Sequence, residues 1–407
     1  MNKYELLAPV GDWRTLRVAI DAGADAVYFG IRGFNMRESA RNFSLRDLRK
    51  IRKICGSGVR MYLTLNVVVY DGELKRVENV IKKAKRFVDA IICWDMAVIE
   101  LCRKYGVPFH VSTQASVSNL KSALFYKKLG AERIVLAREL NLKQISKIAK
   151  HVSVECFCHG AMCVAVSGRC FMSQFTQGLS ANRGKCAQLC RRSWGIKDDA
   201  GNELRLENSR VMSAKDLCTL PFIDKMKKAG IFSFKIEGRN RSPEYVFAVV
   251  LEYKKALDAL SGGLGFGVSE IRAGVENLKR VYHRGFSSGF YFKMPTADDF
   301  SFSEYGEQSE RKEFVGKVYK YWPKAGACSV KMNAGKLCVG DEVYLIGDNV
   351  GAVRTGVKSI ELEGKDIKMA RKGDDVGVVF DREVMGNREQ KIGRMVGCDI
   401  YLIRKKF

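Results

Sequence analysis

The chain has 407 residues, 46% of them hydrophobic, enough for one large core and a smaller second one. Its 70 basic and 45 acidic residues leave a net charge of +25, which points to a polyanionic partner, nucleic acid above all, against the plainer reading of a lysine-rich solvated surface. No run of about 18 apolar residues occurs and MNKYELLAPVGD has no apolar signal segment, so neither a membrane span nor a secretory leader is expected, and the cytoplasm is the expected compartment.

In chain order, eight apolar runs read as strands: ELLAPVG (5–11), DAVYFG (25–30), VRMYLTLNVVV (59–69), VDAIICWD (88–95), VPFHVSTQ (107–114), AERIVLA (131–137), VSVECFCH (152–159) and IFSFKIEG (231–238). Amphipathic stretches between them, such as WRTLRVAIDAG, ELKRVENVIKKAKRF, SALFYKKLG and LKQISKIAK, read as helices. Several end on glycine (Gly23, Gly106, Gly130, Gly230), a residue suited to a left-handed stop. The last helix, PEYVFAVVLEYKKALDAL, opens with Ser242 as cap and Pro243 in the first turn.

Eight β units, each followed by a helix, predict an α/β fold, a (β/α)8 barrel over residues 1–290. A doubly wound open sheet is the rival, but no Gly-rich fingerprint follows the first strand. A cysteine-rich insertion at about 160–230 separates the seventh and eighth strands and is expected above the carboxyl-end mouth. Residues 291–312 are polar and irregular, a linker. Over 313–407, short alternating runs (FVGKVYKYW, CSVKM, DEVYLIG, VGVVF) predict a small C-terminal β-barrel, an architecture that often touches RNA. From residue 311 onward 20 basic and 13 acidic residues give +7, which leaves +18 upstream, so the charge is spread through the chain.

Strand parity places His110, Ser112 and Gln114 on one face, Lys235, Glu237 and Arg239 on another, and Glu155, Phe157 and His159 on a third. Each set lies towards the carboxyl end of its strand, and Asn66, Asp95, Arg138 and Glu139 also end strands. His110, His159 and Glu237 are the acid/base candidates; Asn66, Gln114, Arg138, Lys235 and Arg239 are the substrate-binding candidates. Arg138 and Arg239 could each grip a carboxylate or phosphate bidentately. The plainer alternative for each is a satisfied polar group of the core.

Six isolated cysteines (55, 93, 102, 328, 338 and 398) read as small core residues, and Cys156 and Cys158 as strand packing. Cys163, Cys170, Cys186, Cys190 and Cys218 lie in or beside the insertion. Only Cys186 and Cys190 resemble a zinc knuckle, with no partner knuckle, and the C-x3-C-x2-C triplet of radical enzymes is absent. Loop thiolates at wide, irregular spacing suit a 4Fe–4S cluster, while zinc and plain structural thiols stay open.

The run Glu155-x-Phe157-x-x-Gly160-Ala161-Met162-Cys163-x4-Gly168-x-Cys170-x-Met172-Ser173 resembles the signature of the collagenase-like "U" peptidase family. So do ELLAPVG, AGADAVYFG (22–30), FHVSTQ (109–114), VLAREL (135–140), ANRGKCAQLCR (181–191), SAKDLC (213–218) and FKIEGR (234–239), so that the resemblance covers the whole predicted barrel. It implies an oxygen-independent hydroxylase, or the partner of one, with a 4Fe–4S cluster on Cys163, Cys170, Cys186 and Cys218, with Cys190, the second cysteine of the C-x3-C pair, as the alternative to Cys186. The barrel plus small β-domain is similar to the branch linked to 5-hydroxyuridine at the tRNA wobble position. That implies the tRNA anticodon loop as partner, prephenate as co-substrate and an electron donor. The competing functions are a collagenase-like peptidase, although HExxH and GxSxG are missing, and a non-catalytic iron–sulfur RNA-binding or assembly partner.

Overall fold

The computed structural model describes residues 4–204, 212–263, 265–303, 306–381 and 392–405; residues 205–211 of the expected insertion and 382–391 of the expected C-terminal domain lie outside them. Eight strands pair in parallel in chain order: β1 (Glu5–Val10), β2 (Ala26–Gly30), β3 (Arg60–Leu65), β4 (Ala90–Cys93), β5 (Phe109–Val111), β6 (Arg133–Val135), β7 (Val154–Gly160) and β8 (Ser233–Ile236). Strand β8 pairs with both β7 and β1, which closes the sheet into the expected barrel and removes the doubly wound alternative.

The strands read as continuous apolar runs because both of their faces are covered: every residue of β1 and β2 is buried. Leu7, Ala26, Tyr28, Tyr62, Ala90 and Ile92 fill the lumen, and helices cover the outside. The first helix, Trp13–Asp21, starts on an Asp12–Thr15 capping box. The long helix Pro243–Ser261 starts at Ser242 as expected, with Pro243 in its first turn but no bond from the serine side chain. It buries Tyr245, Val249 and Tyr253 against the barrel.

One irregularity shapes the site. Lys235 of β8 pairs with Phe157, but Ile236 pairs with His159, so Cys158 is an extra residue in β7. Such a bulge shifts the register by one and exchanges the faces beyond it.

The second barrel comprises β9 (Glu310–Trp322), β10 (Ala327–Met332), β11 (Glu342–Gly347), β12 (Gly351–Leu362), β13 (Asp375–Phe380) and β14 (Asp399–Lys405). They run antiparallel in the order β11-β14-β9-β10-β13-β12, and β12 closes on β11. Strand β9 begins inside the stretch expected as linker. Alternate residues such as Val318, Val330, Leu345, Val378 and Ile400 fill this core. The barrel docks on the first helix, where Arg14 meets Asp348 at 2.9 Å, and on Glu244, which Lys312 meets at 2.6 Å. Tyr344, Ile346, Ala352 and Ile403 are buried in the core of the first barrel. Among the described residues no helix is long and apolar enough to cross a membrane.

Candidate active site at the barrel mouth

The floor of the barrel holds a buried ionic network. Glu5 accepts hydrogen bonds from Arg133, from Tyr62 Oη at 2.6 Å and from Ser233 Oγ at 2.9 Å. Glu155 accepts from Lys235 Nζ at 2.7 Å and from Arg133 at 3.4 Å. Burial pushes the Glu155 carboxyl up, but Lys235 and then Arg133 outweigh it, so the group stays below the usual carboxylate range. The His110 ring stands edge-on to Tyr62 at 4.6 Å, and its Nε2 lies 3.8 Å from Glu132. Burial lowers the His110 pKa, which favours a neutral ring. His110 and Lys235, expected at the mouth, therefore belong to the floor. They lie within their strands and not beyond the carboxyl ends, where parity gives the right face but not the depth.

Higher in the barrel, Arg239 donates to Thr64 Oγ1 at 2.9 Å, and burial lowers its pKa to about 10. Glu237 accepts twice from Arg37, at 3.0 and 3.2 Å. Burial raises the Glu237 pKa, but the charges of Arg37, Arg138 and Arg239 together bring it below the usual range. Asn66 Oδ1 accepts from the Met36 N–H at 3.1 Å, and its Nδ2 lies 3.4 Å from Gln114 Oε1. Ser112 Oγ also bonds Gln114 Oε1. Arg138 donates to the Ala161 carbonyl at 3.2 Å and lies over the Phe157 ring at 4.0 Å; its Nε is buried without a partner among the described residues. Of the expected substrate-binding set, Gln114 and Arg138 reach the cavity wall, while Asn66 and Arg239 brace it from behind.

The insertion roofs this mouth. Gly160 ends β7 with φ +108, and a Cβ there would strike the Glu237 carbonyl, so only glycine lets the chain turn away at that point. Gly184 has φ +84 and packs against the Asn35 carbonyl with no room for a Cβ, which lets the insertion dock on the loop after β2. Three arginines tie the roof down. Arg183 meets the Glu73 carboxylate at 2.5 and 2.8 Å, Arg169 donates to the Gln114 carbonyl at 2.6 Å, and Arg191 donates to the carbonyls of Ala214, at 2.6 Å, and Met162.

Between roof and barrel lies a cavity of about 120 Å3 whose wall includes Cys163, Cys170, Cys186 and Cys190. Burial raises the Cys190 pKa, Arg191 opposes it, and the other three cavity cysteines raise it further. Cys218 is elsewhere. It lies on a short strand, Asp216–Cys218, paired antiparallel to β7, with its thiol 3.9 Å from Tyr253 Oη. Burial pushes its pKa up to about 11. Tyr253 anchors this region by accepting from the N–H groups of Thr219 and Leu220 and donating to the Cys158 carbonyl. The cysteines lining the cavity are thus 163, 170, 186 and 190; Cys218, expected among the ligands, is not in that lining.

His159 also leaves the site. The bulge at Cys158 turns it outward into a ring of Tyr245, Tyr253 and Phe286, with centroids 5.5–6.0 Å away, and burial drops its pKa to about 3. None of the four histidines lines the cavity.

Thiolates are the donors an iron–sulfur group takes, so four cysteines in one cavity lining fit such a group by donor type. No three His, Cys, Asp or Glu side chains among the described residues converge tightly enough for one metal. A thiol made more basic by its thiol neighbours is what a bound cation would relieve, since coordination removes the proton outright.

Sequence reasoning missed Arg37, Asn240 and Gln188 on the cavity wall. The polar loop NMRESARN after β2 was the available signal for Arg37, but a charged loop alone does not say which way it folds.

The model of the family described as peptidase family U32 matches residues 11–301. The chain belongs to this family. A Porphyromonas gingivalis protein named collagenase is 40% identical over 402 residues, covering 94% of this chain and 96% of its own. A Bacillus subtilis protein named tRNA hydroxylation protein P1 is 32% identical over 382 residues, covering 91% and 90%. An Escherichia coli 23S rRNA 5-hydroxycytidine synthase is 37% identical over 299 residues, 71% of this chain and 45% of the relative. Both peptidase and RNA-hydroxylation names thus occur among the U32 relatives.

Proposed function

We propose that this chain is an RNA-modifying enzyme that forms 5-hydroxyuridine at the tRNA wobble position, with a 4Fe–4S cluster held by Cys163, Cys170, Cys186 and Cys190 and prephenate as co-substrate. The observation that carries the reading is the gathering of four thiols in the lining of one cavity that Arg37 and Arg138 also line. Relatives named for tRNA and rRNA hydroxylation, and a net charge of +25, support RNA as the substrate. When bound, the cluster supplies one-electron redox chemistry.

The chain's own groups have separable tasks. Arg138, with an unpartnered Nε, binds a carboxylate of the dicarboxylate co-substrate. Glu237 neutralises Arg37 and fixes its direction, so the pocket keeps a limited positive charge. Gln114, held by Ser112 and Asn66, offers an amide edge to a uracil without reorienting. Nucleotides of the anticodon loop are unpaired, so a base enters this pocket at small cost. The roof arginines keep the insertion closed over the base and exclude water. An electron donor completes the system as a partner.

Nucleoside mass spectrometry of tRNA from a strain lacking the gene tests this: 5-hydroxyuridine-derived nucleosides disappear, return with the wild-type gene, and do not return with Arg138→Met. Unchanged nucleosides would sink the reading.

The similarity to proteins named collagenase favours a second reading, peptidase action. A Cys–His nucleophile needs an imidazole beside a cavity thiol, and no histidine lines the cavity. Gelatin cleavage by cluster-free protein, abolished in His159→Ala, would restore that reading.

A further inference from the structure

We propose that Phe171 and Phe175, on the rim of the cysteine cavity, form a platform on which unpaired bases of a single-stranded RNA loop stack. The inference rests on the RNA reading above and names the surface that holds the nucleotides around the target base.

Phe175 is 83% exposed and Phe171 is 56% exposed, yet their rings lie nearly parallel, with centroids 5.8 Å apart and planes 27° from each other. Phe171 precedes the short helix Met172–Gln177 and Phe175 lies within it, and the neighbours of Phe171, Cys170 and Met172, line the cavity. Val164, Val166 and Leu179, also exposed, extend the apolar surface over the same insertion. The segment's own charge has one sign. Residues 160–193 contain Arg169, Arg183, Lys185, Arg191 and Arg192 and no aspartate or glutamate. Lys185 and Arg192 are exposed. A stacked aromatic pair inside an acid-free basic segment matches the two needs of single-stranded nucleic acid, π-faces for bases and cations for phosphates. The basic, acid-free segment favours a phosphate-bearing occupant over an apolar protein face.

The test is fluorescence anisotropy of a labelled RNA hairpin with an unpaired loop, titrated with the full-length chain. Base–aromatic stacking corresponds to roughly a 5- to 150-fold change in affinity for each stacked base. Phe171→Ala/Phe175→Ala is expected to bind at least tenfold more weakly, with the salt dependence of binding unchanged. Phe171→Leu/Phe175→Leu, which keeps the surface apolar, is expected to bind as weakly. Phe171→Trp/Phe175→Trp is expected to match or exceed wild type. The alanine or leucine variant binding within twofold of wild type would overturn the platform and leave the RNA reading intact. Wild-type protein that binds no RNA would remove both.

Discussion

Lys235 was expected to bind substrate, and the structure instead gives it a structural partner. Glu155 is fully buried and rests on two cations, Lys235 at 2.7 Å and Arg133 at 3.4 Å, and Arg133 is shared with Glu5. Lys235→Met preserves most of the side-chain volume but leaves a buried carboxylate leaning on one shared arginine. Breaking such a pair from one side costs about 3–5 kcal/mol. Lys235→Met/Glu155→Gln removes the stranded charge, so the double variant should lie within about 1–2 kcal/mol of wild type. Urea unfolding followed by far-ultraviolet circular dichroism measures both. RNA affinity should be unchanged in either variant, because Lys235 is buried on Glu155 and does not line the cavity. A single variant costing less than about 1 kcal/mol, or a double variant no better than the single, would refute the paired-floor reasoning.

Three further outcomes follow from the same geometry. The His159 pKa falls from 6.5 to about 3 on burial, so between those values the unfolded chain binds one more proton than the folded one. Stability is therefore complete above about pH 6.5 and declines by about 1.4 kcal/mol per unit as the pH drops; His159→Phe should remove one proton's worth of that slope in melts between pH 6.5 and 4.5, and equal slopes would contradict the outward, neutral placement. Gly160→Ala forces a side chain into φ +108 against the Glu237 carbonyl and should destabilise by about 2 kcal/mol or more in the same urea assay. Arg183→Ala frees the roof from Glu73 and should uncover the half-buried Cys170 and Cys190, read as faster labelling of these two by a thiol reagent, while Arg192→Ala leaves the rate near wild type.

The barrel was legible because each strand announces itself as an apolar run and each helix as a period of 3.6, and the closed parallel sheet leaves few ways to arrange eight such units. The C-terminal barrel was legible from alternation. Depth and bulges were not. His110 shares a strand face with Gln114, yet one ends in the floor and the other at the mouth, because parity says nothing about height. His159 left the expected face through the single extra residue at Cys158, and no local signal in VECFCHG marks it. The cysteines divided the same way. Position in or beside the insertion singled out Cys163, Cys170, Cys186, Cys190 and Cys218 together, and the family resemblance left Cys186 or Cys190 open; that Cys218 stands apart from the cavity depends on how a short strand pairs with β7, a long-range contact.

The central claim is that four thiols of the insertion hold iron together, and the most direct test is the iron and sulfide content of anaerobically purified protein, with its visible absorption spectrum, in wild type, Cys190→Ser and Cys218→Ser. About four irons per chain in wild type and in Cys218→Ser, with loss of the brown absorption in Cys190→Ser, is the predicted pattern. Colourless wild-type protein, or a cluster lost with Cys218 and retained without Cys190, would contradict it.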